Sequence, residues 1–238
     1  MEKEGAGARD FIAENSAEHP TFAGVSPLTG HIAWTQTKDS LQPGIGRATT
    51  DGTPLAPLKF ADPAPPVPGS FAFVTEATPG LRPGDVLLTG SRHPAHAEST
   101  SGLWRFRFDD DEPAARLLAV GDATVNALTI SKTGVFLLAS SGLHRWDGTA
   151  LHPITISQSL QGPIALAADP LSSDLFLLEP KRLLRLRPGG TDTYTVEILT
   201  TAIVEGVAAG LCFSGDGKRL LLGDHGSKKT WVMERKDE

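Results

Sequence analysis

Short apolar runs of four to seven residues, each closed by Gly, Pro, Asp or Ser, recur along the whole chain. Runs of this length bounded by such turn residues predict β-strands joined by tight hairpins. Leu143-His144-Arg145-Trp146 and Leu103-Trp104-Arg105-Phe106-Arg107-Phe108 alternate with period two, as half-buried strands do. The stretches 126–148 (NALTISKTGVFLLASSGLHRWDG), 164–190 (IALAADPLSSDLFLLEPKRLLRLRPGG) and 209–234 (AGLCFSGDGKRLLLGDHGSKKTWVME) repeat one pattern. Each has a small-residue run, a Ser- or Asp-led turn, a Leu-rich run, a polar turn and a mixed run. Looser copies begin at residues 21 and 70, so the chain reads as five variations on one unit.

Each unit predicts a four-stranded antiparallel meander, with Asp51-Gly52, Asp147-Gly148 and Gly189-Gly190 closing the hairpins into the fourth strand. Four-stranded repeats of about 40 residues predict an all-β fold, a β-propeller. Side-chain size points the same way. The first run of each unit is small (Ala23-Gly24-Val25, Ala127, Ala165 to Ala168, Ala208-Ala209-Gly210), as crowded inner strands require. The second is bulky (Val86 to Leu88, Val135 to Leu138, Leu175 to Leu178, Leu220 to Leu222). The expected blades are 21–60, 61–120, 121–156, 157–200 and 201–238, in one domain. The last unit supplies three strands, and Arg9-Asp10-Phe11-Ile12-Ala13, within 9–14, is the expected closing fourth.

The stretch GLCFSGDGKRLLLGD, 210–224, resembles the inner hairpin of the NHL-like and gluconolactonase/regucalcin-like propellers. That resemblance implies a binding module or, as the alternative, a metal-dependent lactonase with a divalent ion such as calcium on the propeller axis. In those lactonases a Glu and Asn or Asp residues before inner strands hold the metal. Asn126 falls at such a position, whereas the equivalent Ile164 and Ala209 are not ligands. Glu205, Asn126 and Asp224 form the expected metal set, with Glu205, Asp224 and His225 the candidate catalytic groups. A quinone-dependent dehydrogenase is a further activity found on related propellers.

Hairpin geometry puts the turns into strand one and out of strand two on the same face of a blade. That face collects His19, Gln36, Arg92, His93, Asn126, Glu179 and Glu205, with the long loops Lys38 to Gly46 and Arg92 to Ser101. His93, His96 and Glu98 have residue types suited to zinc, on a loop without a helix to fix their spacing. Asp109 to Glu112 reads as a solvated hairpin tip on the other face.

The net charge of -6, with no basic stripe, argues against nucleic acid as partner and leaves a small molecule or a protein. Cys212 is the single cysteine, so no internal disulfide forms; its apolar neighbours predict an inert core thiol. No apolar run approaches the ~18 residues of a membrane span, and Met1-Glu2-Lys3-Glu4 does not open a signal peptide. The sequence therefore predicts a soluble, cytoplasmic monomer.

Overall fold

The computed structural model describes residues 23–36, 44–64, 66–94, 96, 98–108, 110–121, 123–201, 208–224 and 229–235. It is all-β, with five small sheets that succeed one another along the chain as the blades of a β-propeller. Among the described residues no helix is long and apolar enough to cross a membrane. The expected closing strand at Arg9 to Ala13 lies outside the described residues. The chain divides into two compact units, residues 1–75 with 84–119 and residues 76–83 with 120–238.

The first unit carries two meanders. One runs through β1 (Ala23–Val25), β2 (Ile32–Gln36), β3 (Gly44–Ala48) and β4 (Pro54–Leu58). The other runs through β5 (Val67–Phe73), β6 (Asp85–Ser91), β7 (Ser101–Arg107) and β8 (Ala115–Gly121). Ala33, Ile45 and Leu58 of the first meet Val86, Leu88, Trp104 and Phe106 of the second in one buried cluster. The alternation read in Leu103 to Phe108 is what aims Trp104, Phe106 and Phe108 into it.

Arg47 is the exception in this apolar interior. Its side chain on β3 is 2% exposed. Its guanidinium donates to the carbonyls of Ala56 (2.9 and 3.1 Å), Phe108 (2.6 Å) and Asp110 (3.0 Å), and to Asp111 Oδ1 at 3.0 Å. The planar fork thereby ties β4 to the hairpin tip after β7. Trp104 Nε1 likewise donates to Asp62 Oδ2 at 2.7 Å, anchoring the proline-rich connector.

The second unit carries three sheets. The third sheet has β9 (Val125–Ser131), β10 (Gly134–Ala139), β11 (Gly142–Trp146) and β12 (Leu151–Pro153). The fourth contains β14 (Ala165–Ala168), β15 (Leu175–Leu178), β16 (Leu183–Gly190) and β17 (Thr193–Thr200). It gains a fifth strand, β13 (Thr155–Ile156), paired parallel to β17, so this blade is not a plain four-stranded meander. The fifth has three described strands, β18 (Ala208–Phe213), β19 (Arg219–Asp224) and β20 (Lys229–Glu234).

The small first strands β9, β14 and β18 run side by side, and Ala168 N–H donates to Thr129 Oγ1 at 2.9 Å between two of them. Behind them the bulky second strands fill the space between sheets. Phe136 and Leu138 of β10 share a cluster with Leu175 and Leu177 of β15, and Leu178 shares one with Leu220 and Leu222 of β19.

Two local expectations change. The β16–β17 hairpin turns at Thr191-Asp192 rather than at Gly189-Gly190, which continue β16. Asp192 takes a left-handed φ of 58° there, and its carboxylate receives a forked ion pair from Arg145, at 2.5 and 3.1 Å. Cys212 is exposed rather than in the core. Strand pairing aligns it with Leu221 and Val232 on the face opposite Leu220 and Leu222, and partial burial raises its thiol pKa.

Two substitutions test this packing. Ala167 is 5% exposed on β14 between two neighbouring inner strands, so Ala167→Phe should cost about 1–3 kcal/mol through overpacking. A thermal melt lower by roughly 2–10 °C is expected, and an unchanged melt would mean the inner strands are not crowded. Arg47→Met removes the donors of three carbonyls and should cost about 2–4 kcal/mol. A denaturant midpoint equal to that of the parent chain would show that these bonds carry no net stability.

Candidate functional site

In the second, third and fourth sheets the chain entering the first strand lies beside the turn leaving the second. Ser140 N–H donates to Thr124 O at 2.8 Å, Ile164 N–H to Leu178 O at 2.8 Å, and Val67 pairs with Ser91. This antiparallel closure brings together residues far apart in sequence, as hairpin geometry requires. Asn126 is exposed at the start of β9, two residues after Thr124, whose N–H donates to Ser140 Oγ at 3.1 Å. Ser141 Oγ meets His144 Nε2 at 2.9 Å, and burial holds the His144 pKa below its ordinary value.

Glu179 sits at the end of β15 with 1% exposure. One carboxylate oxygen accepts from Arg182 Nε at 2.6 Å and the other from the backbone N–H of Gln161. Both oxygens are thus engaged in fastening the β15–β16 turn to the segment entering β14. Gln36 ends β2 opposite Gly44, and Asp224 ends β19 opposite Ala208 and Lys229. His19, Glu205 and His225 lie outside the described residues. Among the described residues no three His, Cys, Asp or Glu side chains gather as a metal-ligand group. The metal set named from the sequence therefore depends on Glu205 and Asp224, whose side chains are not described, together with Asn126.

The loop between β6 and β7 carries several bonds among its described residues. Arg92 N–H donates to Ser101 Oγ at 2.9 Å and His93 N–H to Ser99 Oγ at 3.0 Å. Backbone bonds from His96 N–H to His93 O (3.1 Å) and Ser99 N–H to His96 O (3.0 Å) close two turns within it. The His93 and His96 rings lie 4.7 Å apart, and His93 is 4% exposed, while Arg92 is exposed on the outside. Arg116 donates to Thr100 Oγ1 at 2.8 Å, bracing the far end. The serines were legible only as polar loop residues; their role as backbone acceptors depends on the closure of the loop.

A second feature lies at the other end of the strands, where the sequence suggests mostly tight turns such as Lys132-Thr133-Gly134. An open cleft of about 870 Å³ separates the fourth and fifth sheets, lined by Phe176, Leu199, Phe213, Leu220 and Met233. Asp169, Arg185, Lys218, Glu234 and Arg235 form its polar rim. Asp169 is held by Arg235 at 2.7 Å, Ser172 Oγ at 2.6 Å and Leu171 N–H at 3.0 Å. Burial alone would raise its pKa; these donors outweigh burial and lower it. Gly217, at φ 69°, has Leu171 Cγ 2.7 Å from where a Cβ would stand, so the turn beside the cleft needs glycine.

No protein-family model matches the chain, and no curated protein matches its sequence. Solved structures do match its fold. A gluconolactonase of Xanthomonas campestris aligns with a TM-score of 0.63 at 16% identity, over 89% of this chain and 70% of that one. A nidogen/laminin complex aligns with a TM-score of 0.65 at 16% identity, over 92% and 76%. A putative gluconolactonase gives 0.65 at 12% identity, over 94% and 76%. At such identities these likenesses establish a shared β-propeller fold and nothing about activity.

Proposed function

We propose that this β-propeller is a binding module that presents the Arg92–Ser101 loop to a small molecule or a protein. The observation that carries this reading is the internal fastening of that loop. The backbone N–H groups of Arg92, His93, His96 and Ser99 are bonded to serine hydroxyls and carbonyls of the same loop, so its described part forms a preformed surface. A loop ordered before contact loses little conformational freedom on binding, which favours affinity. Glu179, the buried carboxylate of the expected face, is consumed by Arg182 and Gln161 and contributes structure rather than recognition.

The alternative is a metal-dependent lactonase, as the sequence resemblance to gluconolactonase-like propellers suggests. In that reading Glu205, Asn126 and Asp224 would hold a divalent ion such as calcium, and His225 would be a candidate for proton transfer. The ion would polarise the lactone carbonyl.

Two measurements separate these readings. Melting curves in EDTA, calcium, magnesium, manganese and zinc should coincide, and hydrolysis of gluconolactone should stay at the buffer rate. A metal ion at a hundredfold excess over its dissociation constant adds about 2.7 kcal/mol, a rise of roughly 5–10 °C. Such a rise, abolished by Glu205→Gln, would establish the metal site and favour the lactonase. Loop order is tested by Ser99→Ala, which removes the acceptor of the His93 N–H. Hydrogen exchange across residues 92–100 should quicken while the remaining amides stay protected, and an unaltered exchange pattern would mean the loop is not fastened by this bond.

A further inference from the structure

The cleft between the fourth and fifth sheets is braced rather than collapsed. Arg235, just after β20, reaches over to the fourth sheet and donates to Asp169 Oδ2 at 2.7 Å, while its backbone N–H donates to Lys218 O at 2.8 Å. The Asp169 side chain is 1% exposed, and its carboxylate also accepts from Ser172 Oγ and Leu171 N–H. Gly217 adds a second point of contact, since a Cβ there would stand 2.7 Å from Leu171 Cγ and 2.9 Å from Pro170 Cγ. At the inner end β14 lies against β18. These contacts set the separation of the two sheets, and an apolar space of about 870 Å³ stays open between them. Sites for small molecules commonly measure about 300–1,000 Å³.

The lining selects the occupant. Phe176 and Phe213 meet edge to face with ring centroids 5.1 Å apart, an arrangement that a further ring extends. Met233 and Leu199 also line the space, and the flexible thioether of Met233 suits contact with an aromatic ring. The charges around the mouth are balanced. Arg185 holds Asp174 at 2.6 Å, Arg235 holds Asp169 at 2.7 Å, and Arg219 stands 3.4 Å from Glu234. Lys218 shares its turn with Asp216, whose carboxylate accepts from the Lys218 N–H at 3.0 Å. An ionic ligand would therefore give up its hydration without meeting an unbalanced charge, which costs free energy that a neutral molecule keeps. We propose that this cleft binds a small neutral aromatic molecule, its ring against Phe176, Phe213 and Met233, with the ion pairs at the mouth left intact. Because the brace exists before the ligand arrives, little ordering is required on binding.

This site is separate from the Arg92 loop, so its test does not depend on the function proposed there. The probe is 2-naphthalenemethanol, measured by equilibrium dialysis against the full chain, with 2-naphthoate and 2-naphthylmethylammonium as anionic and cationic counterparts carrying the same ring. Saturable binding of the neutral probe is expected, with each charged counterpart weaker by at least about tenfold. Met233→Glu puts a charge into the apolar lining at an exposed position, and should weaken the neutral probe by at least about tenfold with the melting temperature retained. Val232→Glu puts the same charge on the opposite face of the same strand and should leave binding unchanged. Either charged counterpart binding as tightly as the neutral probe would show that the charges at the mouth select the ligand, and would overturn the proposal. Absence of saturable binding, a Met233→Glu chain that binds as the parent does, or equal losses in the two variants would overturn it as well.

Discussion

Face-to-face packing of small sheets is the interaction on which the rest of this structure depends. A meander of four short strands has too little apolar surface to be stable alone, and becomes stable when a neighbouring sheet covers its bulky face. In the second unit Phe136, Leu138, Leu175 and Leu177 are almost wholly removed from water because β10 and β15 meet in this way. The same meeting forces β9, β14 and β18 together, and Ala127, Ala165 and Ala167 leave room for it.

Charged side chains then serve as tethers around these interfaces. Arg47 reaches a hairpin tip 61 to 64 residues away, Arg145 reaches Asp192, and Arg235 reaches Asp169. A buried charge is tolerated when its partners replace water, a condition that Arg47 and Asp169 meet. Glu179 follows the same logic. A carboxylate that looks available in a list of polar residues is spent on joining a turn to the next strand. The recurrent DG and SGDG turns behave similarly on a smaller scale. The Asp51 carboxyl is lowered to about 2 by hydrogen bonds from Thr49 and Thr53, and Asp216 accepts from Ser214 and Lys218.

The surfaces left open among the described residues lie where the packing rule relaxes. The β6–β7 loop is too long for a tight hairpin and organises itself through Ser99 and Ser101 instead. Along β20, Trp231 and Met233 are 45% and 37% exposed beside the cleft. One is a polar surface on a braced loop, the other an apolar cleft between the fourth and fifth sheets.

The sequence by itself determined the fold class, the strands and the order of small and bulky runs, because alternation and turn chemistry are local properties written within about ten residues. Trp104, Phe106 and Phe108 could be assigned to one face from their spacing alone, and Asp147-Gly148 could be assigned to a turn. The tertiary structure alone decided which polar groups were consumed and which surfaces stayed open. Cys212 sits among apolar neighbours in sequence yet is exposed, because the opposite face of its sheet is the covered one. Arg47 reads as an ordinary strand cation until the carbonyls of Ala56 and Phe108 arrive around it. Asp169 and Arg235 are 66 residues apart, and their pairing carries no sequence spacing that could announce it. Local periodicity fixes which way a side chain points along its own strand, but what it meets there depends on another part of the chain that only packing brings near.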